Sequence, residues 1–599
     1  MEDDDLIENI ILNENAYFYI KDNDRFITKR DINEAFKDAS REKQGHFLLN
    51  VVKEPYKIID GKDIFYSIAV FKYYRKPTFI EEEIAGWEEI KLAYICILDF
   101  ENHVVIAKKN ISGIKDFLDK FDPMDYNVIT SIFTGDETIF EKATMNNMNI
   151  ANNAIRQKSL ESTDLKENLP ALGLQGYILN NVRVNNDDDK ISLSVNSSRI
   201  NKFGSKNNFE TFIKWSDKIV DRIINYVPRT SFLSSFATSV DYVKYKDQLF
   251  PISILIVLSK LYSDFEENKI ERCFVKIKNQ EREINLIKVV KNFERLLSVN
   301  IEANGYKIQS TIINDLYLSL NLKSITLKST KLANVYIQFE NDSKTPILQY
   351  LNWNKSFIIT FDDPELVYCN RKLFKDSRLL GNIDAFMKIF IPFNELRTVT
   401  SEKGTFNSSS TKFSSNSIFD FVENNYSNDF DYFICDDLGR EWADHIGLSD
   451  QSISFFHSKY NNSIMSASDL HEIIGQAQKN LGNLSPSDNQ WPLKESFWAK
   501  NYISSKGIQT NIKRIRKGSN SADTIDYFKT LRSYANLKKR VYVVINFISK
   551  AELADRLEKL KDGEDFAERN EVIQILWFVS SLISSCFESG SEIYICCKP

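Results

Sequence analysis

The chain reads as a multidomain protein of mixed α/β and α+β class. Three observations point there. Its 599 residues exceed the roughly 100–200 residues of one domain several times over. Hydrophobic residues make up 43% and charged residues 27%, with only 12 Pro and 19 Gly, which suits packed cores rather than disordered or linker-rich chain. Stretches of alternating apolar residues are interspersed with stretches of helical spacing. No repeat of about 20–50 residues is visible, which argues against a solenoid.

The elements follow in order. Lys91–Phe100 is a β-like apolar run and Val104–Lys108 its return strand. Ser112 is placed to cap a short helix over Gly113–Phe121. Thr144–Glu167 is polar and Asn-rich and reads as a connector or exposed helix. Tyr177–Val195 alternates around the acidic turn Asn185–Lys190. Asn208–Tyr226 has helical spacing at Phe212, Trp215, Ile219 and Ile223, closed by Pro228. Ile252–Tyr262 reads as a buried helix, and Ile308–Phe339 as strands, with Leu316, Leu318, Leu320 and Leu322 on one face. The Ser/Thr-rich stretch Thr398–Ser415 has no apolar period and reads as a linker. These features divide the chain into an N-terminal α+β region over 1–239 with room for two subdomains, a middle α+β domain over 240–400, and a C-terminal domain over 416–599.

The last of these has the clearest element order. Ser417 caps a helix over Ile418–Asn425. Strands follow at Tyr432–Cys435, Glu441–Leu448 and Ser452–Lys459, and a helix at Ser466–Leu484. After a long insertion come the strand Arg540–Ile548, the helix Asn570–Phe587 and the strand Glu592–Cys597. The predicted order is α-β-β-β-α-(insertion)-β-α-β.

Charge and cysteine usage narrow the function class. A net charge of −6 provides no global basic field, so nucleic-acid binding requires a local patch. Residues 501–550 supply one, with eleven Lys or Arg against two Asp. Lys513, Arg514, Arg516 and Lys517 form one cluster and Lys538, Lys539 and Arg540 another. Aromatics are interleaved, a composition suited to phosphate contacts but equally to a solvated surface. The seven cysteines include no CxxC pair, which disfavours a disulfide framework or zinc ribbon and fits a reducing compartment. The acidic start MEDDDLIENI lacks the features of a secretion signal. Pro251–Leu258 and Ile573–Ile583 are about half the ~18–20 residues that span a bilayer. The expectation is a cytoplasmic protein without a membrane segment.

Candidate chemistry gathers at the strands of the last domain. Asp444 is flanked by Trp442, Ala443 and Ile446. His457 and Lys459 are two residues apart, so a strand points both to one face. Adjacent strands lie about 5 Å apart, so carboxylate, imidazole and ammonium can meet at a sheet edge. Gln476 and Lys479 are one turn apart on the next helix. For each residue a plain structural role competes: a paired carboxylate, a satisfied strand histidine, solvated lysines, an exposed helix face. A zinc site from His445, His457 and His471 is disfavoured by its long gaps.

Asp444 followed by His457-Ser458-Lys459, with a Gln-bearing helix behind, resembles the PD-(D/E)xK (restriction-endonuclease-like) nuclease superfamily over the C-terminal third. The blocks Cys435–Ile446, Ile453–Lys459 and Gly475–Leu484 also resemble bacterial proteins of restriction or phage-defence type. The resemblance implies a restriction-endonuclease-like α-β-β-β-α-β core and a nuclease that hydrolyses DNA rather than RNA with Mg²⁺ or Mn²⁺. It makes Asp444 and His457 metal ligands and Lys459 the water-orienting cation. Glu423 or Glu441 becomes an auxiliary ligand, and Gln476 and Lys479 substrate contacts. His457 departs from the superfamily's Asp or Glu, a loss that Glu441 or Asp437 could restore. Imidazole suits Mn²⁺ better than Mg²⁺. The alternative implied is an inactive nucleic-acid-binding or scaffold subunit of a defence complex, with a protein partner or a second copy of the chain.

Overall fold

The computed structural model describes the chain apart from residues 1–2, 23–24, 41–46, 58–60, 76, 78, 81, 83, 112, 136, 151–154, 169–175, 187–188, 230, 268, 279, 294, 304, 312, 340–343, 377–379, 381–382 and 440. The Ser112 cap, the tip of the 185–190 turn and Arg440 therefore lie outside the described residues. The chain forms two compact units, Met1–Leu165 with Gly176–Ser377, and Lys166–Gln175 with Arg378–Pro599. The division falls ahead of the Ser/Thr-rich stretch, and one unit holds both regions that the sequence separates near residue 240.

The first unit is a mixed α+β body built on an eleven-stranded and a nine-stranded sheet. The predicted hairpin appears as Glu89–Asp99 paired antiparallel with His103–Lys109, and the predicted helix as Phe209–Ile224, capped by the Asn208 side chain. Two expectations change. Pro251–Ile256 is a strand between Phe357–Phe361 and Leu297–Glu302, and only Ser259–Glu266 is helical. A continuous apolar run is compatible with a buried strand or a buried helix, and here cross-strand partners decide. In the Asn-rich stretch, Ile139–Asn147 pairs with Gln157–Glu161 as antiparallel strands. Leu316 and Leu318 are buried as the alternation requires, while Leu322 is exposed beyond the end of its strand.

The second unit is a three-layer α/β arrangement. In chain order it contains α1 (Ile383–Met387), β1 (Phe390–Pro392), α2 (Ile418–Tyr426), β2 (Tyr432–Cys435), β3 (His445–Ser449), β4 (Ser452–Lys459), α3 (Ala467–Asn480) and α4 (Trp491–Trp498). It continues with β5 (Asn501–Ile503), β6 (Gln509–Lys513), β7 (Ile515–Lys517), α5 (Ser521–Leu531), β8 (Lys538–Ser549), α6 (Lys550–Lys561), α7 (Arg569–Glu588) and β9 (Glu592–Lys598). Seven strands make one mixed sheet in the order β1-β9-β8-β4-β3-β2-β7. The first four are parallel, and β4-β3-β2-β7 is antiparallel. The predicted second strand begins four residues later than expected, because residues before His445 form a turn.

Period-two alternation sends neighbouring residues to opposite faces. Phe433, Phe456, Val544 and Cys596 pack on Ile418, Phe421 and Val422 of α2. Ile434, Ile446, Phe455, Val543 and Ile595 pack on the side of α3, α6 and α7. Ser417 caps α2 by accepting the Asp420 N–H at 3.1 Å, and Ser466 caps α3. Helix α7 is 20 residues long and apolar enough to cross a membrane by length and composition. Val572, Ile575, Val579, Leu582 and Ile583 bury one side of it in the core beneath the sheet, as a core helix does.

Candidate metal centre

The centre grows from the turn between β2 and β3. After Cys435 the chain carries Asp436 and Asp437. It then turns through Leu438 and Gly439, both at positive φ (66° and 88°), a conformation that glycine adopts without strain. Two carboxylates staple the turn. Asp436 Oδ2 accepts the Trp442 N–H at 2.7 Å, and Glu441 Oε2 accepts the Leu438 N–H at 3.0 Å. Asp436 is fully buried and also takes Lys494 Nζ at 2.5 and 2.7 Å and the Trp498 indole N–H at 2.7 Å. Burial lifts its pKa against the pull of Lys494, and burial lowers that of Lys494. This ion pair is internal scaffolding, and the sequence contains no local signal for it.

The stapled turn delivers three carboxylates to one place. Asp437, Glu441 and Asp444 each offer an oxygen, and these atoms lie within 4.8 Å of one another. Two oxygens across a cation at about 2.1–2.4 Å can be at most about 4.2–4.8 Å apart, so the group is of ion-binding size. An all-oxygen donor set suits a hard cation such as Mg²⁺ or Mn²⁺. Asp437 and Asp444 are buried, and Glu441 is half-buried. Asp444 Oδ2 accepts the Ser458 N–H at 2.6 Å, where the β3–β4 ladder ends. Burial, reinforced by the Asp437 charge, drives the Asp444 pKa well above the usual carboxylate range, against the pull of Lys403.

A lysine from outside the strands completes the group. Lys403 Nζ lies 3.0 and 2.9 Å from the two oxygens of Asp437 and 3.1 Å from Glu402. Burial opposes its charge, yet Asp437, Asp444 and Glu402 together raise its pKa. It comes from the stretch read as a linker. That stretch is folded: Ser401 bridges to Ser417, and Phe413 is buried against Phe419 and Tyr502. Aromatic residues at 406 and 413, rare in a true linker, were the only available signal.

The other predicted residues divide. Lys459 leaves the end of β4 one residue beyond Ser458 and pairs with Glu472 of α3 at 2.7 Å. Gln476 lies one turn from Glu472, half-buried on the same helix. His457 is outside the carboxylate group. It is buried, its Nε2 has no hydrogen-bond partner among the described residues, and burial together with the Lys479 charge holds its pKa down to about 3. Glu423, expected as an auxiliary ligand, is held by Arg516 at 2.5 and 2.8 Å and lies 3.5 Å from His445 Nε2. Burial works against its ionisation, but His445 and Arg516 lower its pKa.

The basic segment is divided: Arg514 is buried, while its other Lys and Arg side chains are half-buried or exposed. Arg514, expected to touch phosphate, is buried. It donates to the backbone carbonyls of Cys435 and Asp437 at 3.1 and 2.8 Å and stacks 3.8 Å from the Phe497 ring centroid. Its role is to hold the Asp437 backbone, because the alternation of β6 into β7 turns it inward. Arg516 is committed to Glu423, Lys517 to the Asn428 carbonyl, Lys539 to Ser485 and Arg540 to Glu592. Lys479, Lys513 and Lys538 remain exposed. In comparisons with known proteins, no family model matches this chain and no curated protein matches it.

Proposed function

We propose that the second unit is a metal-dependent phosphodiester hydrolase acting on DNA in preference to RNA, with the restriction-endonuclease-like core that the sequence resembles. One observation carries this reading. Three carboxylates converge at the start of β3, and the N–H that fixes Asp444 belongs to the residue preceding Lys459. Asp437, Glu441 and Asp444 would hold a divalent cation, which supplies a water of lowered pKa and a clamp on phosphoryl oxygens. Glu441 and Asp437 provide the carboxylate that His457 lacks. Lys459 supplies a fixed positive charge for the transition state, and Glu472 orients it. Gln476 lies within a helical turn of that pair and is the substrate contact. Lys479, Lys513 and Lys538 are the exposed cations left for phosphate contacts. Protection against foreign DNA is the role that this activity and the resemblance suggest.

The test incubates the full chain with plasmid, single-stranded DNA and RNA in Mg²⁺, in Mn²⁺ and in chelator, beside Asp444→Asn and Lys459→Ala. Cutting that needs metal and is lost in both variants supports the enzyme. Salt-sensitive binding without cutting supports the inactive scaffold. That second reading draws on one observation: Lys403 already neutralises Asp437 without any metal.

A further inference from the structure

We propose that the Lys403 ammonium is a built-in competitor for the divalent cation, so that the site loads metal only when this side chain withdraws from Asp437. The proposal rests on the reading of Asp437, Glu441 and Asp444 as a cation site and adds its regulation. The geometry is specific. Lys403 Nζ bridges both oxygens of Asp437 at 2.9–3.0 Å, and the Tyr502 hydroxyl takes a second position on Oδ2 at 2.9 Å. A divalent ion at about 2.1 Å from either oxygen would face a like charge within about 5 Å. Ion and ammonium therefore compete for Asp437.

The backbone beneath Lys403 is fixed from both sides. Thr400 N–H donates to Asn416, Ile418 N–H to Ser401, Phe419 N–H to Glu402, and Ser414 N–H to Lys403, at 2.8–3.3 Å. The side chain is 20% exposed, and the ammonium lies 5.0 Å from the Phe419 ring centroid. Its four-carbon stem can rotate out to solvent or to a phosphate while the segment stays in place. Ser458, whose N–H holds Asp444, carries a buried hydroxyl with no hydrogen-bond partner among the described residues. A lysine that exchanges Asp437 for a substrate phosphate would couple metal loading to the presence of nucleic acid.

The experiment measures Mn²⁺ binding by the full chain in equilibrium dialysis with electron paramagnetic resonance detection, for wild type, Lys403→Met and Lys403→Arg. Melting transitions check that each is folded. Lys403→Met keeps the stem on Phe419 and removes the charge, and it should bind Mn²⁺ at least tenfold more tightly than wild type. Lys403→Arg should bind no more tightly than wild type. The added affinity should vanish in Lys403→Met combined with Asp437→Asn. Equal or weaker binding by Lys403→Met, with wild type still binding, overturns the competition and leaves the cation site standing. If neither protein binds Mn²⁺, the cation site itself falls and the competition with it.

Discussion

His457 sits in β4 at 2% exposure, on the face occupied by Phe455 and Ile453, and its Nε2 meets no hydrogen-bond partner among the described residues. Burial, with Lys479 adding like charge, holds its pKa at about 3 against an ordinary 6.5. The imidazole is therefore neutral in the folded state and protonates more readily when the unit unfolds. Stability from this group is complete above about pH 6.5 and is lost as pH falls towards 3. At about pH 5 the unfolded form is favoured by one and a half pH units at 1.36 kcal/mol each, or about 2 kcal/mol. His457→Met removes the titration while filling the space. Calorimetric scans of the full chain at about pH 7.5 and 5 should show wild type losing about 2 kcal/mol more than the variant. For a unit of this size that is about 4–8 °C in the second unit's transition. The transition is identified as the one that a substitution at Gly447 moves. Parallel pH profiles for the two proteins would refute the burial argument and return His457 to the list of solvated or metal-facing groups.

Three further outcomes follow from the geometry. Asp436→Ala leaves Lys494 buried without its carboxylate, and urea unfolding should show a loss of about 3–5 kcal/mol. Asp444→Asn relieves a carboxyl that burial already disfavours. Its metal-free melting temperature should match or exceed wild type, while the Mn²⁺-induced rise, about 2.7 kcal/mol at a hundredfold excess over Kd, should disappear. Gly447 lies in β3 against Phe430, and an added Cβ would meet that ring at 2.8 Å. Gly447→Ala should therefore cost about 1–3 kcal/mol in thermal unfolding, through displacement of a buried aromatic.

Much of the second unit was legible locally. Short apolar runs marked Tyr432–Cys435 and Ser452–Lys459 at their observed bounds, and Ser417 announced the start of α2. Asp444 stood out as a carboxylate flanked by the apolar Trp442, Ala443 and Ile446, and Lys459 by its two-residue spacing from His457 on a strand. In the first unit, the run from Pro251 to Ile256 misled because its second half, Ile254 to Ile256, is buried on both faces and carries no period. What the sequence by itself determined was the kind of most elements of the second unit and the residue types available for chemistry, since these depend on spacing within a few residues. Only tertiary structure decided that Lys403 meets Asp437, that Lys494 neutralises Asp436 and that the inward-turned Arg514 finds the Asp437 carbonyl. These partners are 34, 58 and 77 residues apart. Periodicity tells a side chain which way to point, but charge pairing in a core depends on which distant segment the closed chain brings opposite it.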